Sequence, residues 1–211
     1  MLLTMMATTG TMWGQARGEE VYSTCLFGGT HGTSGNYTST WTATNGDFSW
    51  SVANGNTNNS NWNYVKFGRK NVESVGTVTT ASAYTEAITK VDVTIDAITT
   101  NSVNSIKLYT SSDGSTWTAA GTYTKSTGTK SVSLSNPTAN LYYKVEFDCA
   151  SGSANGLVTV SKVEFYHNTG GNPTVTTPEI TPNGGSFLDS QMFFWKLPLF
   201  LLMKIFPESL S

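Results

Sequence analysis

Residues 141–149 read LYYKVEFDC, with Leu141, Tyr143, Val145, Phe147 and Cys149 on one phase and Tyr142, Lys144, Glu146 and Asp148 on the other. Alternation of apolar and polar residues with a period of two gives a β-strand one dry face and one wet face. Residues 91–97, VDVTIDA, repeat the pattern: Val91, Val93, Ile95 and Ala97 point to the core, and Asp92, Thr94 and Asp96 to water. Working outward, the same pattern predicts strands at 21–27, 37–44, 48–52, 64–67, 74–80, 105–111, 116–124, 129–135 and 157–166. Between Val160 and Val163 the phase slips by one residue, which predicts a bulge or bend.

Turn chemistry separates these runs at Asn45-Gly46-Asp47, Asp113-Gly114, Thr127-Gly128 and Asn136-Pro137. Roughly ten short strands at such spacing imply an all-β fold, a two-sheet antiparallel β-sandwich of jelly-roll type. Composition agrees, since 34 Thr, 24 Ser and 17 Asn among 211 residues are poor helix interiors and good strand, cap and turn residues. A net charge of -2 on only 12 Lys and Arg provides no basic face for nucleic acid. Low charge instead suits a neutral surface and neutral glycans. Two Cys and two His, far apart, do not form a zinc site of the clustered four-ligand type.

The ends differ from the middle. All six Met lie at positions 1–12 or at 192 and 203, and five of the six Pro follow residue 172. Residues 1–18 resemble the back half of a secretory signal peptide, with cleavage near Ala16 but no basic start, so the leader reads as incomplete. The alternative is a short buried strand or an unstructured leader. Residues 19–167 then form the sandwich domain, and 168–182 a Pro/Gly/Thr linker. Residues 183–211 read as a truncated second module with an apolar tail. That apolar run, about fifteen residues, is broken by Lys196, Pro198 and Lys204 and falls short of a membrane span.

Residues 106–117, IKLYTSSDGSTW, resemble the hairpin of discoidin-like, galactose-binding-type modules, and the resemblance implies a structural place for Trp117 at the sandwich edge. The middle domain also resembles a secreted β-sandwich module of Gram-negative gut bacteria. Ala43-Thr44-Asn45-Gly46, Trp62-Asn63-Tyr64, Gly68-Arg69-Lys70, Ile88-Thr89-Lys90-Val91 and Ser161-Lys162-Val163-Glu164 carry that resemblance. It implies an accessory role beside surface enzymes, nucleases or binding proteins, in a protein secreted or held at the cell surface. Residues 177–187, TPEITPNGGSF, resemble the opening of the immunoglobulin-like module at the C-terminus of chitobiases and related β-hexosaminidases. A larger multimodular parent protein is therefore expected.

Catalysis finds little support. His31 and His167 have no serine or cysteine in a nucleophile-elbow context to activate. Asp92 and Asp96 share one outward strand face about 13 Å apart, too wide for a glycosidase pair. They read as solvated surface, and no enzyme and no cofactor is expected. A structural calcium held by loop carbonyls and carboxylates is an option for such sandwiches, but Asp47, Asp113 and Glu164 are scattered and no ligand set emerges. Cys25 and Cys149 both fall on the inward phase of their strands. An oxidising compartment would let them pair, whereas two buried free thiols are the alternative.

Residues 53–64, ANGNTNNSNWNY, gather six Asn and one Trp, with Gly68-Arg69-Lys70 following. Sugar recognition uses an aromatic ring against apolar C–H faces and planar amides that both donate and accept to hydroxyls. Trp62 and Tyr64 would supply rings, Asn59, Asn61 and Asn63 the amides, and Arg69 a bidentate donor. The competing account is an ordinary Asn-rich connection that caps its own backbone while Trp62 covers the core. Trp41 and Trp50, on alternating strands, read as structural. A non-catalytic module that binds a glycan or cell-surface polysaccharide follows. The alternatives are a spacer that binds nothing, or an accessory fragment of a secreted glycoside hydrolase or nuclease.

Overall fold

The computed structural model of the chain describes residues 18–57 and 61–169. Its strands are β1 (Gly18–Leu26), β2 (Thr40–Asn45), β3 (Phe48–Ala53), β4 (Val65–Phe67), β5 (Ser74–Thr80), β6 (Ile88–Ile98), β7 (Val103–Ser111), β8 (Thr118–Thr122), β9 (Gly128–Ser133), β10 (Tyr142–Cys149) and β11 (Val158–Thr169). Each predicted segment overlaps one of them. One antiparallel sheet runs β1-β11-β6-β9 with β4 also against β11, and the other runs β2-β3-β5-β10-β7-β8. The two-sheet sandwich expected from the alternation is the fold. The rest of the leader and linker and the whole tail lie outside the described residues, but Gly18 of the leader and Asn168 and Thr169 of the linker belong to the sandwich, where pairing of β1 with β11 extends from Leu26 and Lys162 out to Gly18 and Thr169.

Strand β10 shows why the alternation was decisive. Tyr143, Val145, Phe147 and Cys149 are fully buried while the intervening residues stay partly exposed. Val145 pairs with Val78 and Leu108, and Phe147 with Gly76 and Ile106. From the opposite sheet, Phe67 stacks on Phe147 with ring centroids 4.4 Å apart. A Cβ on Gly76 would sit 2.2 Å from the Phe67 ring, so only glycine lets that ring lie over β5. Burying each such side chain stabilises by about 1.5–3 kcal/mol.

A second link between the sheets is polar. The Tyr84 hydroxyl accepts hydrogen bonds from Ser23 Oγ on β1 at 2.8 Å and from Trp50 Nε1 on β3 at 2.9 Å. Its ring meets Phe165 edge-on at 5.1 Å. Burial pushes the phenol well above its ordinary pKa, so it stays neutral and donates or accepts as a hydroxyl.

The predicted slip in β11 falls at Ser161: Val160 pairs with Ile95, the next pair is Lys162 with Thr94, and Ser161 is left over. Two expectations on β6 need correction. The register also skips Asp96, so Ala97 turns outward and is exposed, not core. Asp92 does face outward but is only 7% exposed. Glu164 on β11 and Ser131 on β9 flank it, and the Lys90 ammonium lies 3.9 Å from its carboxylate.

Candidate functional site

The Asn-rich loop is tied down in its first half. Asn54 adopts a left-handed conformation, φ 56°, and its Nδ2 donates to the Val75 carbonyl at 2.8 Å. Asn56 and Lys66 exchange backbone hydrogen bonds, as do Thr57 and Ser34, so Asn56 and Thr57 are buried. To that extent the account of an Asn-rich connection serving its own backbone holds. Asn59 lies outside the described residues. Asn61 and Asn63 are exposed, and Trp62 and Tyr64 are half-buried.

The Trp62 backbone rests on Gly28, whose φ is +78° and where a Cβ would sit 1.5 Å from the Trp62 carbonyl oxygen. The neighbouring Gly-rich loop therefore sets the height of this tryptophan. Its ring stacks on Tyr64 at 5.0 Å, and the Lys66 ammonium lies over it, 4.3 Å from the centroid. Stacking and cation–π attraction hold Trp62 in place, but they also occupy ring surface that a sugar would use.

Arg69, by contrast, lines an open cleft of about 430 Å³ together with Asn36, Tyr37, Lys70, Asn71 and Asn155. That volume is within the roughly 300–1,000 Å³ of small-molecule sites. Its walls are fixed by local hydrogen bonds. Asn155 Oδ1 accepts from the Lys70 backbone N–H at 2.7 Å, and the Asn71 N–H donates to the Gly152 carbonyl at 2.8 Å. On the facing wall, Asn36 Oδ1 accepts from the Thr38 N–H at 2.8 Å and from the Thr38 hydroxyl at 2.6 Å, an Asx turn that ends before β2 begins. Partial burial and the nearby Tyr64 hydroxyl raise the Tyr37 pKa, so the cleft and the Trp62–Tyr64 stack adjoin through these two phenols.

Of the sequence-derived candidates, Arg69 lines the cleft, Trp62 and Tyr64 stand beside it as a pair, and Asn61 and Asn63 flank those rings in the chain. Tyr37 was assigned to a strand and Asn155 was overlooked. Gly35-Asn36 was a readable turn signal that would have freed Tyr37, but nothing local marks Asn155, which is 85 residues from Lys70. A smaller hollow of about 250 Å³, against Leu134, Pro137 and Leu141, is lined by neither an aromatic ring nor a charged group. It lacks the groups that grip a sugar.

The other candidates have structural surroundings. Cys25 on β1 and Cys149 on β10 are buried free thiols, and burial pushes both pKa values up, Cys149 to about 12. Cys25 pairs with Val163 in one sheet and Cys149 with Ser74 in the other. His31 Nδ1 donates to the Thr44 carbonyl at 2.8 Å, and His167 Nε2 meets Glu20 at 3.2 Å. Trp50 is core, and Trp41 Nε1 donates to the Gly55 carbonyl at 2.9 Å. Trp117 is half-buried under the Lys144 ammonium, 4.8 Å from its ring. Asp113 is engaged in its own hairpin, accepting from the Ser115 and Thr116 N–H groups, which lower its pKa strongly. Among the described residues no group of three or more His, Cys, Asp or Glu could hold a metal ion, and no helix is long and apolar enough to cross a membrane.

No family model matches the chain, and no curated protein matches it in sequence. Among solved structures the chain shows a distant, partial similarity to a carbohydrate-binding module. That module is CBM32-1 from a family 31 glycoside hydrolase of Clostridium perfringens, 16% identical, with a TM-score of 0.36 over 49% of this chain and 76% of that one.

Proposed function

We propose that the chain is a non-catalytic carbohydrate-binding or adhesion module, acting outside the cell as part of a larger surface protein, with the cleft beside Tyr37 and Arg69 as its binding site. The observation that supports this most directly is the composition of the cleft. A tyrosine ring, three Asn amides, a guanidinium and an ammonium converge on about 430 Å³ of open space. Rings offer a face to sugar C–H groups, and amides match hydroxyls that both donate and accept. Trp62, Tyr64, Asn61 and Asn63 would extend that surface at one rim.

A second reading, a spacer without ligand, draws on the engagement of Trp62 by Tyr64 and Lys66. A glycan array probed with the full chain separates the two. Binding to a defined set of glycans, weakened about tenfold or more by Tyr37→Ala, is the expected result. Such a loss corresponds to one good contact. Binding of no glycan at all would favour the spacer.

A further inference from the structure

The cleft is richer in donors and positive charge than a neutral sugar requires, and we propose that its ligand carries an anionic group, a carboxylate or sulfate on the sugar, met by Arg69 and Lys70. The inference rests on the carbohydrate-binding reading and narrows it to acidic glycans.

The hydrogen-bonding inventory leads there first. Asn36 Oδ1 is spent on two hydrogen bonds from Thr38 and Asn155 Oδ1 is half spent on the Lys70 N–H, while both NH₂ groups remain as donors. Arg69 and Lys70 can only donate, and the Tyr37 hydroxyl can donate. Asn71 Oδ1 and the second lone pair of Asn155 Oδ1 are the side-chain amide acceptors left among the described lining residues, fewer than the donors. A neutral sugar presents hydroxyls that need acceptors as often as donors. A carboxylate or sulfate only accepts, and it matches a wall of donors.

Charge pairing gives an independent argument. On the sheet faces three lysines sit beside carboxylates, Lys90 with Glu19 at 2.7 Å, Lys162 with Glu164 at 2.9 Å and Lys144 with Glu146 at 3.5 Å, and single cations such as Lys107 and Lys130 stand apart from the cleft. Among the described residues no Asp or Glu lines the cleft, and neither Arg69 nor Lys70 has a carboxylate within ion-pair distance. Lys66, over the Trp62 and Tyr64 rings, adds a third cation close by. What sets the cleft apart is that two cations adjoin in one lining. A planar guanidinium grips carboxylate and sulfate oxygens in pairs, while the ammonium acts as a point charge.

The test uses the full chain and matched pairs of oligosaccharides: a uronate oligomer with its carboxyl-reduced counterpart, and a sulfated galactan oligomer with its desulfated one. The acidic member of at least one pair should bind about tenfold or more tightly, the worth of a charge-assisted contact. That preference should shrink as salt rises from about 50 to about 500 mM, as screening requires. Which pair responds distinguishes carboxylate from sulfate. Arg69→Gln with Lys70→Gln should abolish the preference without lowering the melting temperature, and Lys130→Gln on β9 should leave it intact. Equal binding of acidic and neutral members would overturn this inference and leave the carbohydrate reading standing. Acidic preference that survives the double substitution would overturn the assignment to Arg69 and Lys70. Failure of every acidic and neutral oligosaccharide to bind would overturn both.

Discussion

The outer face of the five-stranded sheet and the cleft at Arg69 are both polar, yet they treat charge in opposite ways. On the sheet, Lys90 reaches Glu19, lies 3.8 Å from the Tyr166 ring centroid and stands 3.9 Å from Asp92, while Lys162 meets Glu164. Lys90 and Lys162 there are each answered by a carboxylate, because residues two apart on a strand share one face and a neighbouring strand adds Glu19. The cleft is assembled from loops spaced far apart in the chain, and its donors face open space instead. The difference teaches where to look for function in a chain with so few charges: at polar groups the fold holds rigid but leaves unanswered.

If that division is right, substitutions in the sheets should change stability and leave recognition alone, and substitutions in the cleft should do the reverse. The largest effect belongs to Phe147→Ala, which removes the ring stacked on Phe67 and should cost about 3–5 kcal/mol. Chemical denaturation measures it, and a loss below about 1 kcal/mol would show that the inter-sheet stack is not a principal support. Next is Tyr84→Phe, which strands the buried Ser23 hydroxyl and Trp50 indole N–H and should cost about 1–3 kcal/mol. An unchanged denaturation midpoint for that variant would contradict the polar link.

Glu19→Gln should cost less, about 0.2–1 kcal/mol at neutral pH, because the pair with Lys90 is largely exposed. Its pH dependence has a definite sign. Hydrogen bonds from Lys90 and Thr89 lower the folded-state pKa of Glu19 below 4.5. The stabilisation is therefore present above about pH 4.5 and disappears as pH falls through the lowered folded value. Wild type and variant should differ at pH 7 and converge in stability once the pH is low enough to protonate this carboxylate in the folded state. A difference that persisted there would point to packing instead of charge. Smallest of all, Arg69→Gln should shift stability by no more than about 0.5 kcal/mol, as expected of a surface group without internal partners. A substantially larger loss would mean that Arg69 serves the fold and would break the comparison.

Strand existence was legible because alternation is a local property, and the β10 segment alone established period, faces and core. The bulge at Ser161 was legible for the same reason. Ala97 misled because the register skip at Asp96 belongs to the pairing of β6 with β11, not to β6 itself. Asp92 misled because outward does not mean wet when Lys90, Glu164 and Ser131 surround it. The candidate site was half legible. Arg69 and the Trp62–Tyr64 rings stood out by residue type near one another in the chain, while Tyr37 was absorbed into a predicted strand. Asn155 could not be seen at all.

Sequence by itself determined the fold class, the strands and the exclusion of a basic nucleic-acid face, since period, turn residues and charge can be counted along a chain. Tertiary structure decided which polar residues are spent and which are available. Asn54 and Asn56 read like Asn63, yet the first two are built into the backbone framework and Asn63 is exposed. Arg69 and Lys70 read like any other cations until the fold sets them against Tyr37 and Asn155 with no carboxylate in the lining. The physical reason is that availability depends on partners across space, and sequence spacing does not specify which residues 85 positions apart will meet.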